Sequence, residues 1–216
     1  MDAGERRRLS RLHRYERAAW ENGAASVCGV DEVGRGPLAG PVTACAVVIA
    51  QPLILEYLND SKVVTALRRV ELASDIRRCA VDVSLGWADP EEIDAHNILG
   101  ATRIAMGRAL AGLRAMPAQV FVDAIHIPAC QAPQTAIIGG DAKSAAIAAA
   151  SIVAKVARDQ YMEELDALYP GYGFAHNRGY GTEEHVAALH KLGPCPAHRR
   201  SFTPVVQTWL FAELLA

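Results

Sequence analysis

Four carboxylates fall where apolar segments of this sequence end. Asp31 and Glu32 stand near the end of the run at 27–33, and Asp123 closes 119–123. Asp141 lies just past a third apolar run, ahead of an Ala-rich stretch. Charges beside apolar strands cost free energy unless they are paired or bound to a cation, and strand ends are where α/β proteins place their sites. Carboxylates converging there repel one another, and a hard divalent cation relieves that repulsion. Mg²⁺ takes few protein carboxylates and leaves positions for water and phosphate oxygens. Two such ions about 3.5–4 Å apart stabilise both the attacking and the leaving oxygen of a phosphodiester. Taken singly, Asp141 reads as a helix cap and Asp123 as an ordinary strand-end acid. Adjacent strand residues also point to opposite faces, so Asp31 and Glu32 share a site only where the strand ends or bends.

Two Gly-rich segments add to this set. Gly34-Arg35-Gly36-Pro37 is neither a phosphate-binding P-loop nor a dinucleotide fingerprint. Its glycines let the backbone approach a ligand while the guanidinium reaches a phosphate, and a tight hairpin with an exposed Arg reads equally well. Tyr180 sits between Gly179 and Gly181. In so open a turn a tyrosine can stack on a sugar or base, or simply pack on the core. His185, His190 and His198 suit capping, packing or phosphate contact better than metal ligation.

The elements that must position these residues follow from periodicity. Residues 27–33 and 42–50 read as strands joined by a Gly-rich turn, which predicts antiparallel pairing. Residues 65–78 suit a helix with Thr65 as N-cap, and 80–87 a strand. A helix over 97–115 should stop before Pro117, and 119–123 and 134–138 should be short strands. A long helix spans 142–168, and 182–191 is a further helix capped by Thr182 with Glu184 in its first turn. The tail at 205–215 reads as a last helix. Near the N-terminus Leu9, Leu12, Tyr15 and Ala19 form an apolar stripe among Arg6, Arg7, Arg8, Arg11, Arg14 and Arg17. These arginines are either a solvated face or a contact to a phosphate backbone. One α/β domain over 1–216 follows, with a mixed sheet flanked by helices, an N-terminal helix at about 1–26 and a helical part at about 170–216.

Composition limits the function classes. Apolar residues are 51% and charged residues 21%, which excludes bulk disorder and collagen-like or disulfide-scaffold classes. A net charge of −2 argues against a simple basic nucleic-acid module. It leaves room for an enzyme on nucleic acid, because a carboxylate site subtracts charge that bound metal restores. No uncharged apolar run approaches the ~18 residues of a membrane helix. Five cysteines without a C-x-x-C pair read as buried reduced thiols and a cytoplasmic protein, with no zinc site expected.

The run from Gly29 to Val42, Asp60-Ser61-Lys62, and Gly140-Asp141-Ala142-Lys143-Ser144 continuing to Arg158-Asp159 resemble the motifs of ribonuclease HII. So do Gly171-Tyr172-Gly173-Phe174, Gly179-Tyr180-Gly181-Thr182 and His198-Arg199-Arg200-Ser201-Phe202. They keep their order over residues 8–206. The resemblance implies an RNase H-like fold, a mixed sheet flanked by helices with a C-terminal helical appendage. It implies cleavage of RNA in RNA–DNA hybrids and incision 5′ to single ribonucleotides embedded in duplex DNA, leaving 3′-hydroxyl and 5′-phosphate ends. It also implies Mg²⁺ or Mn²⁺. By motif, Asp31, Glu32, Asp123 and Asp141 would be the metal-binding catalytic acids. Gly34, Arg35 and Gly36 would read the ribose 2′-hydroxyl and hold the adjoining phosphate, and Tyr180 would pack on the neighbouring sugar. Lys62, Lys143, Lys155 and Arg158 are candidate phosphate contacts, although Lys155 on an apolar helix reads equally as structural. Asp159 reads as a salt bridge or cap.

Three positions depart from the family pattern: Ala124 follows the third acid where Gly is common, Gly139 replaces a lysine before Gly-Asp, and Asn177-Arg178 replaces His-Lys before Gly-Tyr. Only about 25 residues precede the first strand, which favours HII over the sister family HIII. Gln207–Phe211 resembles the short peptides that bind bacterial sliding clamps, and reads equally as an amphipathic closing helix. A monomer is expected. Two other classes compete. Another RNase H-like metal-dependent nuclease would share the acids without needing the Gly-Arg-Gly turn or Tyr180. A non-catalytic hybrid-binding module would not need the acids at all.

Overall fold

The computed structural model describes residues 1–208. The later part of the tail helix, and Trp209 to Phe211 of the clamp-like peptide, lie outside the described residues. Among the described residues no helix is long and apolar enough to cross a membrane. The chain forms two compact units. The first comprises Met1–Val33, Thr43–Trp87 and Arg103–Val156; the second comprises Gly34–Val42, Ala88–Thr102 and Ala157 onward.

The first unit is built on a five-stranded sheet in the order β3-β2-β1-β4-β5. The strands are β1 (Val27–Val33), β2 (Val42–Ile49), β3 (Asp82–Ala88), β4 (Gln119–Asp123) and β5 (Gln134–Ile137). β1 and β2 pair antiparallel from Val27↔Ile49 to Val33↔Thr43, as the short connection requires. β1 pairs parallel with β4, and β4 with β5, so the sheet is mixed. All of β2 is buried, which its unbroken apolar run already suggests for a strand covered on both faces.

Helix α5 (Ala145–Leu168) begins in this unit, and its alanines allow a close approach to β1. A Cβ on Gly29 would lie 2.0 Å from the Ala146 carbonyl carbon, so only glycine fits there. The start of α5 is capped by a residue far away in sequence. The buried Glu16 carboxylate accepts the Ala146 N–H at 3.0 Å and the Ser144 hydroxyl, which suits a helix N-terminus. The N-terminal arginine segment is two helices rather than one, α1 (Ala3–Leu12) and α2 (Arg14–Glu21). His13 breaks them. Its Nδ1–H donates to Leu9 O and its Nε2 accepts the Leu53 N–H at 2.9 Å. The apolar stripe packs as the spacing predicts, with Leu9 and Leu12 buried and Tyr15 and Ala19 against the same core. Helix α3 (Ala66–Cys79) buries Leu72, Ala73 and Ile76 on that core. Thr65 is its N-cap by position, but its side chain makes no capping bond.

Helix α4 (Pro90–Ala111) begins seven residues before the expected start at 97 and stops earlier than 115. Asn97 has φ 56° and kinks it, so the interrupted period hides the first turns. In the second unit, α5 ends and α6 (Phe174–Asn177) and α7 (Glu183–Leu192) follow, with the Thr182 hydroxyl accepting the His185 N–H as expected. Ala39, Met162, Leu165, Tyr172, Phe174 and Ala197 form its core. The second unit thus joins the earlier segments Gly34–Val42 and Ala88–Thr102 to the chain from Ala157 onward. The cysteines are all free thiols, but only Cys28 and Cys45 are buried, and Cys79 is exposed.

Candidate active site

The parallel pairing of β1 with β4 puts Val30 beside Val122. The next residues are Asp31, two before the end of β1, and Asp123, which ends β4, so two distant acids lie on neighbouring strands. Asp31 is 4% exposed and its carboxyl is raised well above the usual range. Burial is the main cause, followed by the Glu32 charge; Asp123 adds to it, while a hydrogen bond from Ser151 opposes it. β1 continues through Asp31 and Glu32 to Val33, with Asp31 buried and Glu32 half-buried. The Asp31 carboxylate turns back to accept the Glu32 N–H at 2.8 Å.

Asp141 enters through the next strand. β5 pairs with β4, placing Ile137 opposite Asp123. A tight turn follows, with Gly139 at φ 63° and a single 3-10 turn at Gly140–Ala142. Asp123 accepts the Gly140 N–H at 2.7 Å. Asp141 is 7% exposed, and its carboxyl is raised by burial, then by Asp60 and Asp123, against the opposing pull of Lys62. The Lys62 ammonium lies 3.5 Å from Asp141 and 3.9 Å from Asp60. Asp60 also orders its own turn by accepting the Lys62 N–H at 2.9 Å. The Ser151 hydroxyl on α5 donates across to the Ser61 hydroxyl oxygen at 3.0 Å. Asp60, Ser61 and Ser151 join the site only through pairs formed across the fold, which sequence spacing does not report.

Lys143 is exposed, and its ammonium donates to Ile138 O at 2.6 Å. It lies 4.0 Å from where a side chain at Gly139 would begin, so a cation stands near the position where the family's lysine is missing. Lys143 also lines a hollow of about 380 Å³ with Arg8, Arg11, Arg14 and Asn59, and no acid lines it. Lys155 is half-buried on α5, as a structural lysine would be.

Among the described residues no three His, Cys, Asp or Glu side chains stand close enough to hold a metal ion unaided. The donor set is all carboxylate oxygen, and burial first, then neighbouring acids, raise Asp31 and Asp141. That fits a hard divalent ion taking one or two carboxylates and completing its shell with water and phosphate oxygens.

The second unit holds the other motif residues. Gly34 has φ 92°, and a Cβ there would lie 2.2 Å from the Arg158 Nε. Gly36 faces the Tyr180 ring, with 3.6 Å between a would-be Cβ and the ring edge. Tyr180 is 45% exposed, so its ring is presented rather than packed away. Arg158 is 0% exposed with its donors on backbone carbonyls, which overturns its reading as a phosphate contact. Asp159 lies 3.9 Å from the Arg178 guanidinium, in keeping with the salt-bridge reading. His185 and His198 are buried against Tyr172 and Phe174, so they pack.

Comparison with known proteins places this geometry. The family model for ribonuclease HII matches residues 28–205. Over 93% of this chain and 97% of the relative, the sequence is 52% identical to a ribonuclease HII of Moorella thermoacetica. It is 54% identical to that of an Acidovorax species over 84% of this chain and 87% of the relative. The fold is similar to the crystal structure of ribonuclease H2 from Pyrococcus horikoshii, with a TM-score of 0.74 at 27% identity over 87% of this chain and 99% of that one. A parallel sheet edge that gathers acids, a chain matched almost from end to end and a shared fold agree: this chain belongs to the ribonuclease HII family of endonuclease hydrolases.

Proposed function

We propose that this chain hydrolyses the RNA strand of RNA–DNA hybrids and incises 5′ to single ribonucleotides embedded in duplex DNA, leaving 3′-hydroxyl and 5′-phosphate ends. The observation that carries the reading is the convergence of Asp31 and Asp123 on neighbouring parallel strands with Asp141 on the following turn. Asp31, Glu32, Asp123 and Asp141 would hold Mg²⁺ or Mn²⁺, which when bound supplies a water of lowered pKa and stabilises a leaving oxygen. Burial and neighbouring acids disfavour the charged forms of Asp31 and Asp141, a cost that a bound cation would offset, and the Lys62 ammonium lies beside Asp141. Lys143, Arg11 and Arg14 hold phosphates of the substrate backbone in their cationic hollow. Gly34, Arg35 and Gly36 read the 2′-hydroxyl, with Arg35 on the adjoining phosphate. Tyr180 packs its exposed ring on the neighbouring sugar. Residues 1–216 act as one catalytic domain and a monomer. Five free cysteines support a cytoplasmic location. Gln207–Phe211 is proposed as a sliding-clamp peptide on its sequence alone, and Gln207→Ala should then abolish clamp binding.

The test uses a DNA duplex with one embedded ribonucleotide and either metal, with an all-DNA duplex and Asp31→Asn as controls. Incision 5′ to the ribonucleotide, absent from both controls, is expected. Equal cutting of the all-DNA duplex would favour a structure-selective nuclease. Binding of hybrid without cutting would favour a non-catalytic module.

A further inference from the structure

Two buried guanidiniums in the second unit take no part in the reading above. Arg158 on α5 and Arg199 in the C-terminal loop are both 0% exposed. Among the described residues neither pairs with a carboxylate. Arg158 donates from Nε to Pro41 O at 3.0 Å, from Nη1 to Arg178 O at 3.0 Å and from Nη2 to Ala39 O at 3.2 Å. Arg199 donates from Nε to Gly40 O at 3.0 Å and from Nη1 to Arg35 O at 2.9 Å. Its Nη2 donates to Gly40 O at 2.8 Å and to Gly34 O. Burial is costly for a guanidinium: it lowers the Arg199 pKa to about 9, with the Arg158 charge adding to the effect, and it lowers that of Arg158 to about 10. A group kept at such a cost calls for a reason.

The carbonyl acceptors supply one. Five of them, Gly34, Arg35, Ala39, Gly40 and Pro41, belong to one loop. A trans peptide is planar, with its C=O and the following N–H pointing to opposite sides. Turning the Gly34 and Arg35 carbonyls onto Arg199 therefore turns the Arg35 and Gly36 N–H groups the other way. The first glycine of the turn is also explained, since a side chain at Gly34 would meet Arg158. Lysine could not replace either residue, because a single ammonium lacks the planar fork that spans several carbonyls.

We propose that Arg158 and Arg199 are positioning residues for ribonucleotide recognition: they hold the loop carbonyls inward so that the Arg35 and Gly36 amides face the substrate. This rests on the reading above, in which Gly34, Arg35 and Gly36 read the ribose. Neither arginine touches substrate. The two cations beneath the loop also favour an anionic ligand above it.

The test compares wild type, Arg158→Lys, Arg199→Lys and Met106→Ala on a duplex with one embedded ribonucleotide, and measures binding of that duplex against an all-DNA duplex. Met106 is buried in the first unit, so its truncation controls for lost stability alone. Each Lys variant should keep the wild-type circular dichroism and lose at least about tenfold in kcat/KM, with a matching loss of preference for the ribonucleotide duplex. Met106→Ala should melt earlier while keeping both. Folded Lys variants that stay within about twofold of wild type in both readouts would overturn the proposal. Should a Lys variant fail to fold, the Gln variant at that position is measured against the same two thresholds, with the same outcomes supporting or overturning the proposal. Absence of any incision by the wild type would instead overturn the ribonuclease reading itself.

Discussion

The Asp123 carboxylate accepts the Gly140 N–H at 2.7 Å, so the acid that ends β4 also holds the turn carrying Asp141. One side chain therefore serves both the chemistry and the placement of its neighbour. Asp123→Asn keeps an acceptor at that amide and Asp123→Ala does not. Both variants should lose cleavage, and the Ala variant should also lose about 1–2 kcal/mol of stability relative to the Asn variant. Equal thermal unfolding of the two would show that the bond does not hold the turn.

Asp31 makes the metal-free protein less stable as pH rises. Its folded pKa is raised by burial and neighbouring acids, so the native state holds the proton longer than the unfolded chain. Its contribution is best at low pH and declines as pH rises from about 4 through the folded value. Asp31→Asn should therefore stabilise the protein in chelator at pH 7.5 by about 1–2 kcal/mol, or roughly 2–6 °C, and much less at pH 4.5. Melting curves at the two pH values test this, and an equal shift at both would refute it.

His185 and His198 respond in the opposite direction. His198 Nδ1 accepts the Cys195 N–H, its Nε2 meets His185 Nε2 at 3.1 Å, and His185 Nδ1–H donates to Tyr180 O. That chain needs both rings neutral. Burial, then the neighbouring His185, lowers His198 to about 4. The depressed pKa contributes stability above about pH 6.5 that is lost as pH falls towards 4. Urea unfolding should show a loss of about 2 kcal/mol between pH 7 and 4.5, reduced in His198→Gln. No reduction would place the acid sensitivity elsewhere.

Ala124 occupies a left-handed conformation, φ 54°, at the position where the family commonly has glycine. A Cβ in that region costs about 1 kcal/mol, partly offset by the extra freedom of an unfolded glycine. Ala124→Gly should raise stability by up to about 1 kcal/mol with cleavage unchanged. Destabilisation would mean that the Ala124 methyl makes a compensating contact.

Arg11 and Arg14 line the cationic hollow beside Lys143. Removing both should reduce the salt dependence of hybrid binding by about one to two units of slope while leaving kcat intact. An unchanged slope would return them to an ordinary solvated face.

Local pattern determined much of this protein from the sequence alone. Apolar runs bounded by Gly and Pro located β1 and β4 to the residue, Thr182 marked the start of α7, and the four acids stood out as charges at strand ends. These features depend on neighbours within a few residues, which spacing reports directly. The kink at Asn97 hid the start of α4 because it breaks the period that would have revealed it. Only the tertiary structure decided that β1 lies between β2 and β4, and hence that Asp31 neighbours Asp123. It alone showed Glu16 capping α5, Ser61 meeting Ser151, and Arg158 turned from a candidate phosphate contact into a buried support for a loop. The reason is physical. A polar side chain's role depends on which partner satisfies it once water is excluded, and those partners come from segments that only long-range packing brings together.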